Sequence, residues 1–166
     1  MEPSTETETL RDAVEEAIAG NWFGMLATTS TENRPHVAGV LYALVGRDIY
    51  VNTDEDSRKA RNIADTGRAA VCIPISPVDG EGAPDAPPLT ASFQGTAELL
   101  ANDSDEITTL ITSGALAAVT SHGELERPGT CMVKITPTAR IATYGIGVSE
   151  DEMAADPLNA FGSVEW

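Results

Sequence analysis

The 166-residue chain is long enough for one domain with its own hydrophobic core, and its length requires no second domain. It carries 26 acidic residues against ten Lys and Arg, a formal net charge of -16. Nucleic acids and anionic membrane surfaces repel so acidic a chain, and we expect neither as a partner. Because 42% of the residues are hydrophobic, disorder does not explain the acidity. An acidic, lysine-poor surface is typical of cytoplasmic proteins from salt-loving microbes, so we expect a halophilic, cytoplasmic protein.

The beginning of the chain predicts an amphipathic helix followed by a β-meander. Leu10, Val14 and Ile18 recur at helical spacing, and Gly20 ends the run. This start contains no long apolar stretch, so it predicts neither a signal peptide nor a membrane span. Three β-rich runs separated by turn-like sequences follow at residues 22–30, 35–45 and 48–53.

Residues 52–67, NTDEDSRKARNIADTG, predict a short helix with a cationic first turn. Ser57 is a favourable N-cap and Gly67 a favourable stop, while the apolar face is formed by Ala60, Ile63 and Ala64. Arg58 and Lys59 fall in the first turn, where the helix dipole disfavours cations.

Two interpretations explain these cations, which with Arg61 place three of the ten positive charges within four residues. One is a solvated surface network with the preceding Asp54, Glu55 and Asp56, which would contribute at most about 1 kcal/mol per pair. The other is a bound phosphate, which gains free backbone N–H groups and charge-assisted hydrogen bonds at a helix N-terminus. We favour the bound phosphate, because binding it requires cations at this position.

The second half of the chain alternates strands and single helices. The sequence predicts a strand at 68–75, an exposed loop SPVDGEGAPDAPP at 76–88, and a period-two strand at 89–100. A helix over 102–119, broken near Gly114, and a final strand over 131–145 complete the pattern. These elements predict a mostly β protein, a small antiparallel barrel with flanking helices. The expected divisions are an N-terminal helix (1–20), the barrel domain (21–145) and a C-terminal tail (146–166).

The cysteines and histidines give little indication of a metal site. Cys72 and Cys131 lie in apolar runs without metal-ligand spacing, so we expect two buried thiols and no bound metal. His36 opens a predicted strand and His122 lies in a predicted loop, positions where ordinary structural roles are favoured. Haem ligation through a histidine stays open as an alternative.

The segment IYVNTDEDSRKARNIADTGRAAVCIPI resembles the pyridoxamine 5'-phosphate oxidase-like, FMN-binding split-barrel family, and the resemblance extends over residues 20–145. FGMLATTSTENRPHVAGVLYAL is similar to the first hairpin of that family, and ASFQGTAELL to its strand near the flavin. The resemblance implies a six-stranded antiparallel split β-barrel that forms a homodimer, with FMN bound at the interface. It also implies the ligand residues. Arg58 and Lys59 would hold the FMN phosphate beside Ser57, Thr53 and Asn52, while Val37, Ala38, Gly39, Val40 and Gln94 would lie near the flavin ring.

The chain departs from the family pattern where the vitamin substrate binds. Pyridoxamine 5'-phosphate oxidases carry an Arg on the first hairpin, where this chain has His36 or Val37, and an Arg in the later helix, which TTLITSGALAAVTSHG lacks. We therefore expect an FMN-binding oxidoreductase for another small organic substrate, with no catalytic acid or base assigned. The alternatives are a reductase that uses the deazaflavin coenzyme and a non-enzymatic flavin- or haem-binding protein.

Overall fold

The computed structural model describes residues 5–75 and 89–166, so the loop expected at 76–88 lies outside the described residues. Within these ranges the helices are α1 (Thr5–Ala19), α2 (Arg58–Thr66), α3 (Asp105–Thr112), α4 (Ala117–Thr120) and α5 (Glu150–Ala155). The strands are β1 (Phe23–Thr29), β2 (Pro35–Leu41), β3 (Ala43–Val45), β4 (Asp48–Asp54), β5 (Arg68–Ile75), β6 (Leu89–Ala101), β7 (Thr130–Pro137), β8 (Ile141–Tyr144) and β9 (Phe161–Val164).

The segment 35–45 curls the sheet into a barrel. Its first part, β2, pairs antiparallel with β1, and its second part, β3, pairs antiparallel with β4. Tyr42 separates the two parts, and the remaining strands continue in the order β1-β5-β6-β7-β4. If β2 and β3 are taken as one bent strand, six antiparallel strands enclose the core. In the described residues no pairing joins β2 to β4, so the barrel is open between them. The expected split-barrel architecture is confirmed, and we call this opening the split.

Helix α2 lies at the split because its capping residues fix both ends. The Ser57 hydroxyl accepts a 3.2 Å hydrogen bond from the Ala60 N–H, and Gly67 adopts φ 63° while its N–H bonds the Ile63 carbonyl. Ala60 and Ile63 are buried against the barrel, whereas Ala64, expected on the same face, is exposed. The helix contacts β1, β2 and β6, and its first turn follows the end of β4, one of the two strands that border the opening.

The predicted final strand is two strands, since the chain turns after Pro137. The Thr138 N–H donates a 3.1 Å hydrogen bond to the Gln94 carbonyl. This bond holds the turn against the long strand β6. As a result β7 pairs with the second half of β6 and β8 with its first half. The helix predicted over 102–119 has its expected break near Gly114, which lies at φ 78° between α3 and α4.

The residues after 145, expected to form a tail, extend the sheet. They contain α5 and the strand β9, which pairs antiparallel with β8. Val164 is fully buried, and the Trp166 indole N–H donates a 3.0 Å hydrogen bond to the Arg47 carbonyl. The C-terminal segment is therefore packed against the barrel.

The core occupies the inside of the barrel, and a smaller cluster lies outside it under α3 and α4. The inner core includes Leu26, Ile49, Ile73, Ile135 and Ile141, all at most 1% exposed. The outer cluster includes Tyr50, Ile107, Leu116 and Met132. Among the helices that the structure describes, none has the length and apolar character needed to cross a membrane. The cytoplasmic location stays a prediction.

Candidate functional site at the barrel opening

The first turn of α2 presents cations that form no ion pair with the acidic side chains that the structure describes. Arg58 and Arg61 are exposed and Lys59 is half-buried. Among the described side chains, residues 9–75 and 89–166, no carboxylate lies within 4.0 Å of any of the three. Asp54, a proposed partner, lies 3.4 Å from Arg127 instead. The surface-network interpretation therefore lacks the ion pairs that it requires.

Two hydroxyl groups lie at the base of this cationic turn. Thr53, only 6% exposed, is the penultimate residue of β4, and its Oγ1 lies 3.2 Å from the Ser57 Oγ. The first N–H groups of a helix have no intrahelical acceptor and carry the positive end of the helix dipole. Backbone donors, hydroxyls and cationic side chains thus meet at one point, which has the chemistry of an oxyanion site.

Two buried nitrogens near the split have no hydrogen-bond partner in the described part of the chain: His36 Nδ1 and Asn52 Nδ2. His36 lies on β2 opposite Thr28 of β1. Asn52 precedes Thr53 on β4, so their side chains point to opposite faces of the strand. The side chain of Asn52 shares the face of Tyr50 rather than that of Thr53, and only its backbone lies close to the Ser57 hydroxyl. An unpaired buried polar group costs about 1–3 kcal/mol, which a ligand could offset.

Strand β2 borders the split and carries the four residues expected beside a ring. The exposed fraction of Val37 is 56%, Gly39 is exposed, Ala38 is half-buried and Val40 is 8% exposed. Because β2 pairs only with β1 among the described strands, backbone groups on its other edge are free to bind a ligand. The structure thus brings the edge of β2 and the first turn of α2 to the same opening.

Gln94 lies on the outer face of the sheet rather than inside the split. Cross-strand pairing aligns it with Ala70, Ala27 and Val37, so three inter-strand spacings, about 14 Å along the sheet, separate it from Val37. Gln94 and Val37 nevertheless line one cavity of about 530 Å³ on this face. Cys72, expected to be buried, is half-buried in the same cavity, whereas Cys131 is buried as expected.

Sequence reasoning missed two residues at this end of the barrel. Asn62 of α2 is 5% exposed, and its amide donates a 3.0 Å hydrogen bond to the Thr28 hydroxyl, which fixes the helix to β1. Arg68, the residue after the Gly67 cap, is exposed on the outer face opposite Thr96. The sequence did contain a signal for Asn62, because a polar residue lies there between the two apolar positions Ala60 and Ile63. Arg68 lines a cavity because of how the strands pair, and the sequence around Arg68 does not indicate that pairing.

The described residues also bear on metal binding. No cluster of three or more His, Cys, Asp or Glu side chains suited to a metal ion occurs in the described ranges. The donor set at the split consists of hydroxyls, amides and cations, which suits an anion.

The fold and the site together define a protein of the split-barrel class. The family model described as pyridoxamine 5'-phosphate oxidase matches residues 10–144, and the chain belongs to this family. A search of curated proteins found no significant match.

Solved structures with the same fold include proteins with different ligands in their names. A haem-binding protein from Mycobacterium smegmatis superposes with a TM-score of 0.69 at 18% identity, covering 99% of this chain and 59% of that protein. The haem storage protein HutZ from Vibrio cholerae gives 0.66 at 15% identity, covering 84% and 94%. A FAD-binding protein from Mesorhizobium loti gives 0.60 at 16% identity, covering 80% and 90%. This chain therefore spans less than two thirds of the mycobacterial protein, and at these identities the likeness concerns the fold.

Proposed function

We propose that the protein is an FMN-binding oxidoreductase that acts on a small organic substrate other than pyridoxamine 5'-phosphate. The observation that carries the proposal is the first turn of α2, where Arg58 and Lys59 lack any acidic partner among the described residues. Membership of the pyridoxamine 5'-phosphate oxidase family and a FAD-binding structural neighbour support the choice of a flavin.

The phosphate of FMN would lie at the start of α2. Arg58 and Lys59 would bind it with charge-assisted hydrogen bonds, and the N–H groups of the first turn would donate to its remaining oxygens. The hydroxyls of Ser57 and Thr53, 3.2 Å apart, would complete the set. A phosphate dianion bound there would offset the repulsion between the two cations and the positive end of the helix dipole.

The ring would lie along β2, in contact with Val37 to Val40. Gly39 has no side chain to cover its backbone on the outer surface, where it is exposed. The ring of Phe23 lies against one side of it. Phe23, Met25 and Val37 are large apolar side chains with 37–56% exposure on the outer face. A homodimer that packs these faces together would bury them and exclude water from the ring.

When bound, the flavin supplies the redox chemistry, by accepting or donating a hydride or electrons. The chain's own residues would hold the phosphate, orient the ring along β2 and limit solvent access. No side chain is required as a catalytic acid or base in this proposal.

Titration of the apo protein with FMN, followed by absorbance, tests the proposal. We expect Arg58→Ala and Lys59→Ala each to weaken FMN binding by about tenfold or more, since a charged hydrogen bond contributes about 1.5–3 kcal/mol. The double variant should lose the cofactor and remain folded. Arg47→Ala removes one positive charge from an exposed turn outside the site and is the matched control. Unchanged FMN affinity in the double variant would contradict the phosphate assignment.

The same titration separates the alternatives. Binding of the deazaflavin coenzyme, which shows essentially one near-ultraviolet band where a flavin shows two, would retain the cationic site and change the cofactor. Tight FMN binding without turnover across a panel of electron donors would indicate a flavin carrier or sensor rather than an enzyme.

Haem binding is a second candidate, favoured by two structural neighbours that are named for haem. His36 is the histidine suited to an axial ligand, because its Nδ1 is buried without a partner in the described residues. His122 is 73% exposed, and its Nδ1 lies 3.3 Å from a carboxylate oxygen of Glu124. Addition of haemin should then give a Soret band that His36→Ala removes and His122→Ala retains. A Soret band unaffected by His36→Ala would exclude this ligand assignment.

A further inference from the structure

Helix α2 buries only a narrow apolar face. Ala60 and Ile63 are buried, at 0% and 2% exposure, whereas Ala64, the third apolar residue of the helix, is exposed. Successive residues of a helix are rotated by about 100°, so Ala60 and Ile63 lie about 60° apart around its axis. The apolar stripe that anchors a surface helix is usually wider, at about 100° or more. Apolar packing alone therefore fixes the rotation of α2 about its own axis only weakly.

Polar contacts attach α2 to both sides of the split. On one side, Thr53 of β4 contacts the N-cap residue Ser57, with 3.2 Å between the two hydroxyl oxygens. On the other side, the hydroxyl of Thr28 on β1 accepts a 3.0 Å hydrogen bond from the Asn62 amide. Strand β4 borders the split, and β1 pairs with β2, which borders it opposite β4. The two contacts therefore hold the helix across the opening.

The hydrogen bond between Asn62 and Thr28 lies inside the end of the barrel. Thr28 follows Leu26 by two residues on β1, and Leu26 is a fully buried residue of the inner core. Because side chains two positions apart share one face of a strand, the Thr28 hydroxyl faces the barrel interior. Asn62 and Thr28 are each 5% exposed. Loss of either partner thus leaves the other as an unpaired buried polar group.

Asn62 lies on the same side of the helix as the two cations of the phosphate site. Arg58 precedes it by four residues and Lys59 by three, so they lie about 40° and about 60° to either side of Asn62 around the axis. Ile63 and Ala60 lie about 100° and about 160° away from it. The bond to Thr28 therefore fixes the helix in a direction that the apolar contacts do not, and this direction sets where the cations point.

We propose that Asn62 is a positioning residue for the phosphate site. Its hydrogen bond to Thr28 fixes the rotation of α2 and thereby the direction of Arg58 and Lys59. The proposal rests on the proposed function, because it concerns the same phosphate. Asn62 does not itself contact the phosphate, since its amide donates to Thr28 inside the barrel.

FMN affinity and stability, measured on the same variants of the full chain, test the proposal. Thr28→Val and Asn62→Leu each leave one buried polar group unpaired, so each should lower the urea midpoint. Each should also weaken FMN binding about fivefold, the factor equivalent to one net hydrogen bond.

The double variant Thr28→Val with Asn62→Leu separates positioning from stability. It removes both polar groups, so the urea midpoint should recover toward the wild-type value. An apolar pair makes no directional bond, so FMN binding should stay about fivefold weaker than in wild type. A purely structural role predicts that affinity recovers together with stability, and that result would overturn the proposal.

Two further variants serve as controls. Tyr42→Phe removes the buried 2.6 Å hydrogen bond to the Ile18 carbonyl, which ties α1 rather than α2 to the barrel. It should lower the urea midpoint and leave FMN affinity unchanged. Thr28→Ser keeps the hydroxyl that accepts from Asn62 and should bind FMN like wild type. If Asn62→Leu does not fold, equal FMN affinities of Thr28→Ser and Thr28→Val would overturn the proposal.

Titration with inorganic phosphate, followed by the amide NMR signals of Arg58 and Lys59, separates this inference from the proposed function. If FMN binds and Thr28→Val binds it as tightly as wild type, the positioning role is overturned and the proposed function stands. If FMN does not bind, phosphate binding that Thr28→Val weakens supports the positioning role and contradicts the flavin. Phosphate binding that Thr28→Val leaves unchanged, or no binding of either probe, would then overturn both.

Discussion

The Tyr42 hydroxyl donates a 2.6 Å hydrogen bond to the Ile18 carbonyl oxygen in the last turn of α1, and both side chains are fully buried. Tyr42 is the residue at which the bent strand passes from β2 to β3, and its own N–H bonds the Trp22 carbonyl. The bond therefore links the N-terminal helix to the point where the barrel begins to open. Burial of this hydroxyl also raises the pKa of Tyr42 well above its ordinary value.

Tyr42→Phe should lower the free energy of unfolding by about 1 kcal/mol, because it removes a buried hydrogen bond. Among the described residues the Ile18 carbonyl would then keep a 3.3 Å hydrogen bond from the Asn21 N–H. Urea denaturation measures the change. Tyr144→Phe is the matched control, since the described residues contain no hydrogen-bond partner for that hydroxyl and the variant should be close to neutral. Equal effects of the two substitutions would show that the Tyr42 bond contributes nothing specific.

Gly95→Ala should destabilise the barrel by about 1–3 kcal/mol. A Cβ at this buried position would overlap the carbonyl of Thr136, where β6 and β7 approach each other closely. The neighbour is backbone and cannot rotate away. The nearest atoms to a Cβ in Gly39→Ala are ring atoms of Phe23, 3.0 Å away, and this half-exposed ring is able to move, so the cost there should be smaller. A thermal melt in which Gly39→Ala is the more destabilised variant would contradict this account.

Acid should weaken the attachment of α3 to the sheet. Glu106 accepts hydrogen bonds from the Tyr50 hydroxyl at 2.7 Å and the Lys134 ammonium at 2.9 Å. Both bonds lower the pKa of the Glu106 carboxyl, and the bond from Tyr50 has the larger effect. Because the folded-state pKa lies below the ordinary value of 4.5, this stabilisation is fully present above that value. It is lost as the pH falls through the lower folded-state pKa.

Urea midpoints measured from neutral to acidic pH should therefore fall less steeply for Glu106→Gln than for wild type. The side chain of Glu106 is 41% exposed, so solvent screening keeps the difference modest. Asp103→Asn removes an exposed carboxylate that has no ion pair among the described residues and should leave the wild-type pH profile unchanged. Identical profiles for wild type and Glu106→Gln would contradict the assignment.

Val37→Asp should dissociate the proposed homodimer. Its side chain is 56% exposed beside Phe23 and Met25 on the outer face, and a buried carboxylate there would have no partner in an apolar interface. Analytical ultracentrifugation should show a dimer for wild type and a monomer for the variant. Ala101→Asp adds the same charge at an exposed position at the end of β6 and should stay dimeric. A monomeric wild-type protein would contradict the dimer itself.

Stability should rise with potassium chloride, as expected for a halophilic protein. A net charge of -16 on one small domain produces self-repulsion, and raising the salt from about 0.1 M to about 1 M shortens the screening length from about 10 Å to about 3 Å. The melting temperature followed by circular dichroism should increase over this range. A melting temperature that does not change would indicate that the acidic surface does not limit stability.

Local signals in the sequence were enough for α2 and β5. Ser57 and Gly67 mark the two ends of a helix at Arg58–Thr66. The β-branched residues that follow predict a strand at 68–75, and β5 occupies Arg68–Ile75. The reason is physical: capping bonds and side-chain alternation depend on residues within a few positions of each other. The family resemblance, carried by the same segment, also gave the six-stranded split barrel.

Strand pairing, by contrast, depended on distant parts of the chain. The break at Tyr42, the division of the last predicted strand into β7 and β8, and the pairing of β9 with β8 all follow from partners far away in sequence. The pattern of each segment is the same whichever strand lies beside it, so no local signal could specify these breaks.

The same distinction applies to the candidate sites. The sequence alone determined that Ser57 caps a helix whose first turn carries Arg58 and Lys59, because that requires only local spacing. Tertiary structure decided that Asp54 pairs with Arg127 and leaves those cations without an acidic partner in the described residues. It also decided that Arg68 lies opposite Thr96 and lines a cavity on the outer face. Electrostatic partners are set by distances across the folded chain, and those distances exist only after the strands have paired.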